Sequence, residues 1–189
     1  VKELEKRGHR FVRYADDCNI YVRSKRAGER LLAGIGRFLE RKLRLKVNAT
    51  KSGVDRPQKR KFLSFSFYWR QGRALIRVAE EAKDRCWERL RQLTRRGRSG
   101  LVVEVIRAVN EYTTGWMEYF RLSETDRVFQ ELDKWLRRRL RQMLWKRWKR
   151  GRTRYRKLVE LGVPLELAAL GAGGSRPWRM AETPVVNMA

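Results

Sequence analysis

Histidine occurs once, at His9, and cysteine twice, at Cys18 and Cys86, in a chain of 189 residues. So sparse a set excludes a disulfide framework, a zinc-ligand cluster and a histidine-based nucleophile site. Long apolar runs are missing as well, and no signal-peptide pattern opens the chain, so a membrane span or export leader is not expected. Acid is the third scarcity: 21 Asp and Glu face 47 Lys and Arg, for a formal net charge of +26. A surface this one-sided needs a polyanion beside it, and nucleic acid leads because neutralised phosphates release counterions. What is present supports folding, since 42% hydrophobic residues suffice for a real core in one large or two small domains. A reduced, cytoplasmic setting is the default. The chain opens at Val1 in charged, helix-like sequence and stops in "PVVNMA", which reads as a piece of something longer.

Patterning divides the chain. "HRFVRYA" and "NIYVRS" are β-rich runs on either side of Asp16-Asp17 and predict a hairpin. Leu31, Leu32, Ile35, Phe38 and Leu39 recur at helical spacing and predict a helix over 27–43. "LRLKVNATKS" predicts a short strand and loop, and "KFLSFSFYW", "RQGR" and "ALIRV" predict a second hairpin turning near Gly72. Beyond Ala79 the period is helical almost throughout. Helices are expected over 80–93 (stopped by "RRGRSG"), over 101–120, and over 123–150 with Ser123 and Asp126 as an N-cap pair. Val102, Ile106, Val109, Thr113, Trp116, Met117 and Phe120 share the inner face of the second of these. After Gly151 a basic coil, a short helical piece in "LVELGVPLELAAL" and a flexible "GAGGSRPW" connector are expected. Cys18 reads as a small hydrophobic filler after the first turn.

Asp16-Asp17 is the point of chemical interest. Aspartates are common at hairpin tips, so a plain polar turn is one reading. The other begins from repulsion: adjacent carboxylates raise each other's proton affinity, and a pair held together is more natural around a cation. Hard oxygen ligands on a hairpin suit Mg²⁺, which needs few protein ligands and accepts phosphate oxygens for the rest. Two such ions about 4 Å apart stabilise the attacking and leaving oxygens of a phosphoryl displacement. Charge and carboxylates thus converge on nucleotidyl transfer.

"RYADD", Arg13 to Asp17, resembles the catalytic motif of reverse transcriptases, and its alanine resembles the enzymes encoded by group II introns and their retron-like relatives. "LRLKVNATKS" is similar to the stretch that ends in a lysine near the incoming nucleotide, here Lys51. "KFLSFSF" resembles the next palm element, a primer-gripping hairpin with glycine where this chain has Ser64. "NEYTTGWMEYF", Asn110 to Phe120, resembles the core signature of the maturase domain, the helical thumb that binds intron RNA. The resemblance runs through essentially the whole chain in the family's order. It implies an α+β fold: a partial palm of antiparallel hairpins plus helix over 1–78, an all-α thumb/maturase bundle over 79–160, and a connector over 161–189. It also implies a two-metal Mg²⁺ site in which Asp16 and Asp17 serve, completed by a third aspartate on an upstream strand that is not found before Arg10. Tyr14 and Ala15 would border the nucleotide pocket. Lys51 would protonate the pyrophosphate leaving group or else cap a loop. Endonuclease-bearing relatives add a Cys/His-rich domain, which this composition excludes. Implied partners are group II intron RNA, a template–primer duplex and dNTPs, in a cytoplasmic ribonucleoprotein. A non-catalytic RNA-binding splicing factor and a retron-type reverse transcriptase are the rivals.

Lys134 to Lys157 holds 13 Lys and Arg and no acid. Cations this dense repel one another and are most plausible against phosphates, which marks Arg137, Arg138, Arg141, Lys146, Arg147, Lys149, Arg150, Arg152 and Arg154 as RNA-binding. At 100° per residue Leu136, Leu140, Met143 and Leu144 form a packing stripe, with Trp148 at its edge. Trp145 falls on the opposite side among the cations, where it would stack on an unpaired base or pack on another segment.

Overall fold

The change from β-rich to helical patterning near Ala79 is also where the chain divides. In the computed structural model the two units are Val1–Ala79 and Glu80–Ala189. Residues 1–95, 101–174 and 176–187 are described; the helix stop expected in "RRGRSG" lies, after Arg95, outside them.

In the first unit a short helix, α1 (Lys2–Lys6), leads into the antiparallel pair β1 (Arg10–Tyr14) and β2 (Asp17–Tyr21). Its helix α2 (Lys25–Leu43) starts where Ser24 Oγ accepts from the Ala27 N–H at 3.2 Å, an N-cap made by the side chain. It ends at Arg44, left-handed at φ 53, and the Leu45 N–H returns to Leu39 O at 3.0 Å. Of the strand expected over Leu43–Val47, Leu43 ends α2 and the rest is a loop that folds back along the helix, with Val47 Cγ2 4.0 Å from where a Cβ on Gly36 would lie. Val54 lies so near Gly28 that a Cβ there would come within 2.5 Å of its Cγ1. A second sheet has the order β3 (Lys61–Phe62), β4 (Phe65–Arg70), β5 (Arg73–Val78), all antiparallel. Its β4–β5 turn is Gln71-Gly72, with φ 51 and 75, the two positive values a type I′ hairpin requires. The β3–β4 turn, Leu63-Ser64, repeats this at φ 50 and 63 without a glycine.

The second unit is helical: α3 (Glu80–Leu93), α4 (Val102–Phe120), α5 (Asp126–Arg147), α6 (Gly151–Glu160), α7 (Leu165–Ala172), α8 (Pro177–Met180) and α9 (Pro184–Asn187). Cys86, Leu90 and Leu93 from α3, Val105 and Val109 from α4, and Leu132 and Met143 from α5 form one core. Trp87 meets Trp135 edge-on at 5.1 Å against it. The inner face of α4 is centred on Val105 and Val109, with Met117 half exposed, a rotation from the expected stripe. α4 begins with the Leu101 N–H donating to Glu104 Oε2 at 3.2 Å, half of a capping box. Ser123 does not cap α5; its hydroxyl pairs with Thr125 Oγ1 at 2.8 Å and the helix starts three residues later.

The expected helix over 123–150 is interrupted at Trp148, and the expected basic coil after Gly151 is helix α6. The short helical piece expected in "LVELGVPLELAAL" is present as α7, while the connector expected after it carries α8 and α9; α7 packs on α6, α8 on α5 and α9 on α7. They enclose a second core of Trp145, Leu158, Val163, Ala168 and Val186.

Candidate nucleic-acid interface

Two features survive as candidates: the acidic hairpin tip in the first unit and the basic helices of the second. At the tip Tyr14 pairs with Asp17, so the two-residue turn is Ala15-Asp16, one residue earlier than the expected Asp16-Asp17 turn, and Asp17 opens β2. Ala15 holds φ 51, and Arg13 Nε donates to its carbonyl at 2.7 Å, which ties the guanidinium to the turn. Both carboxylates are exposed. Directly opposed residues share a face, so Asp17 stands beside Tyr14 and Val12, both open to solvent. Phe11 and Ile20 occupy the other, partly buried face with Cys18. Cys18 is exposed rather than a filler, and its cross-strand partner is Arg13.

Two exposed carboxylates on a tight turn fit Mg²⁺, which takes one or two protein carboxylates and leaves its other positions to water and phosphate. Among the described residues no group of three or more His, Cys, Asp or Glu is placed to hold a metal. Lys51 sits in a turn organised by Asn48, whose side-chain oxygen accepts from Thr50 N at 3.1 Å and from Lys51 N at 3.2 Å. Its side chain is exposed and forms no ion pair with either aspartate among the described residues.

In the second unit the cations sort into three groups. Lys146, Lys149, Arg150 and Arg152 are exposed and form no ion pair among the described residues, while Arg147 is exposed beside them. Arg137 and Arg138 are held by acids: Arg137 Nε donates to Asp133 at 2.9 and 3.0 Å, and Arg138 Nη1 to Glu182 Oε1 at 2.9 Å. Pairs this open to water are worth only ~0–1 kcal/mol and exchange readily for phosphate. Arg154 belongs to the fold. It donates to Trp148 O and Gly174 O, both at 2.7 Å, and its guanidinium lies 5.1 Å over the Trp145 ring.

Trp145 is the clearest correction. It is fully buried, and its indole N–H donates to Gly174 O at 2.9 Å. No face of it is left for a base. A helical wheel of α5 alone places it opposite the first core, which is correct; the wheel has no knowledge of the second core that α6 to α9 build on that side. The same layer accounts for Arg154.

The reading of the run also passed over Lys134 and Glu182. Lys134, Arg137, Arg138 and Arg141 stand at i, i+3, i+4 and i+7, one stripe of α5, and line an open groove of about 370 Å³ with Ala181 and Glu182. The spacing was available in the sequence; the acid from the tail was not.

Elsewhere, burial pushes the Cys86 thiol up to about 11 although a hydrogen bond from Tyr112 opposes it, and burial with the Cys86 contact pushes Tyr112 up to about 12. Both are core effects. No helix among the described residues is long and apolar enough to cross a membrane.

Residues 83–162 match the family model for the group II intron, maturase-specific domain, which supports a group II intron maturase. The matched stretch runs from the first turns of α3 through α6. No curated protein matches the chain.

Proposed function

We propose that this protein is part of a group II intron maturase, whose helical unit binds intron RNA and helps it fold for splicing. The observation that carries this reading is the match over residues 83–162, because it covers the helices that bear the densest cations. Exposed Lys146, Lys149, Arg150 and Arg152, with no ion pair among the described residues, are suited to backbone phosphates, which reward unneutralised charge through counterion release. The finer reading, a thumb that also grips a template–primer duplex, extends this. The test is binding to a group II intron RNA across a salt series. Affinity should fall steeply, with each phosphate contact adding about 0.7 to 0.9 to the slope of log K against log salt. Salt-insensitive binding would sink the proposal.

A second reading is favoured by the hairpin tip: the first unit is part of a reverse-transcriptase palm, so the protein belongs to an RNA-directed DNA polymerase. Asp16 and Asp17 would hold Mg²⁺, which supplies charge stabilisation at a phosphate under attack by a primer 3′ hydroxyl with pyrophosphate leaving. The chain's own part is positional. The Ala15-Asp16 turn presents the two carboxylates at the tip, Tyr14 borders the nucleotide pocket with Ala15, and Lys51 is the candidate proton donor to pyrophosphate. Residues 1–189 alone should bind RNA but incorporate little dNTP, because no aspartate-bearing strand precedes Arg10 among them. When an upstream palm and fingers supply the third carboxylate, RNA-templated incorporation in Mg²⁺ should be lost in Asp16→Ala/Asp17→Ala. Incorporation surviving that double change would exclude the metal role and leave the non-catalytic splicing factor.

A further inference from the structure

The groove between α5 and the segment after α8 combines one stripe of four cations with a single facing acid. Lys134 and Arg141 form no ion pair among the described residues, and Arg137 spends its Nε on Asp133. Arg138 alone is bound across the groove, to Glu182, whose side chain is about half exposed. Asp133 is one turn away on α5 itself, so its pairing with Arg137 is local. The Arg138–Glu182 pair instead joins residues 44 positions apart, both of which line the groove. A guanidinium fork matches phosphate as well as carboxylate, so a phosphodiester entering between Lys134 and Arg141 competes with Glu182 for the same N–H groups.

We propose that this groove seats a backbone phosphate of RNA and that Glu182 is an internal competitor that holds Arg138 back from it. The proposal rests on the RNA-binding function above and adds a specific seat and a brake. Glu182 lowers the affinity of the whole basic surface by occupying one cation, so it sets how tightly phosphate backbone is held. The tail thereby acts on RNA binding without touching RNA.

The experiment measures intron-RNA affinity of the full chain across a salt series for wild type, Glu182→Gln, Arg141→Gln and Arg138→Gln/Glu182→Gln. One freed contact steepens the salt slope by about 0.7 to 0.9, which at 0.1 M salt is roughly a five- to eightfold gain. Glu182→Gln should show that gain and Arg141→Gln a loss of the same size. The double variant should lose the gain, because the freed guanidinium is gone. Wild-type binding with an unchanged Glu182→Gln, or a gain that persists in the double variant, overturns the brake while leaving the maturase function standing. Failure of the wild type to bind RNA at all overturns both. Inorganic phosphate added at constant ionic strength separates a free-anion site: if it displaces RNA from Glu182→Gln at millimolar concentration but not from Arg141→Gln, the assignment to RNA backbone is overturned.

Discussion

Replacing Trp145 by phenylalanine keeps an aromatic ring in the second core but removes the indole N–H that Gly174 O accepts. Gly174 O still receives Arg154 Nη1 at 2.7 Å, so no acceptor is orphaned and the lost bond costs about 1 kcal/mol. The smaller ring leaves a gap in a site with no exposure, adding roughly 1 kcal/mol. A total of about 2 kcal/mol in a unit of this size lowers Tm by roughly 8 °C. Trp145→Ala removes the whole ring and should cost about 3–5 kcal/mol, enough to unfold much of a marginally stable unit. Thermal unfolding followed by circular dichroism reads the shift, and RNA binding is measured well below the lower Tm. A buried Trp145 leaves the affinity of Trp145→Phe within twofold of wild type. A base-stacking Trp145 would instead leave Tm little changed even in Trp145→Ala, and that variant, which unlike phenylalanine has no ring to stack, would lose about 1–3 kcal/mol of binding, roughly 5- to 150-fold. An unchanged Tm together with a tenfold loss of affinity in Trp145→Ala would refute the packing described for α5.

Three further outcomes follow from other sites. Gly28→Ala forces a Cβ to 2.5 Å from Val54 Cγ1 and should destabilise the first unit by about 1 kcal/mol, whereas Gly34→Ala in the same helix, with nothing within 4 Å, should stabilise it by a similar amount; equal shifts in urea midpoints would contradict the close approach. Ser64→Gly relieves a left-handed residue at φ 63 and should add about 0.5–1 kcal/mol, so a lowered urea midpoint would show that the hydroxyl matters more than the backbone. Cys86 rises from 9.0 to about 11 and Tyr112 from 10.0 to about 12, so both are neutral in the fold when the unfolded chain has begun to ionise. Their contribution is whole below pH 9 and is lost as pH climbs toward 11–12. Tm should be level from pH 7 to 8.5 and then fall, and Cys86→Ala/Tyr112→Phe should flatten that fall; an equally steep decline in the double variant would place its cause elsewhere.

What the sequence made legible was mostly local. The Gly72 hairpin and the helices over 80–93 and 102–120 follow from turn chemistry and apolar spacing, which act within a few residues. The acidic hairpin was legible in kind but not in register, since one residue of slip is weakly resisted where both faces are partly open to water, as at Val12 and Arg13. The break at Trp148 was not legible at all. Trp148, Lys149 and Arg150 do not by themselves stop a helix; Arg154 binding Trp148 O helps fix the turn. Leu43–Val47 has the alternation of a strand but no partner to complete a ladder among the described residues. For the candidate interface, the sequence named the cations as a set, and only tertiary packing divides them into those that meet solvent, those that meet acids and those that hold the fold together.

That division bears on where the functional unit ends. The maturase match stops at Gly162, yet Trp145 and Arg154 inside it both donate to the carbonyl of Gly174, twelve residues further on. A fragment cut at the family boundary would keep the exposed cations of α5 and α6 and lose the acceptor that anchors two of its interior side chains. Tails exchanged between relatives would have to bring a backbone carbonyl to the same point, whatever their side chains. The segment after α6 thus serves the second core through its backbone, and a minimal RNA-binding fragment should be drawn to include it.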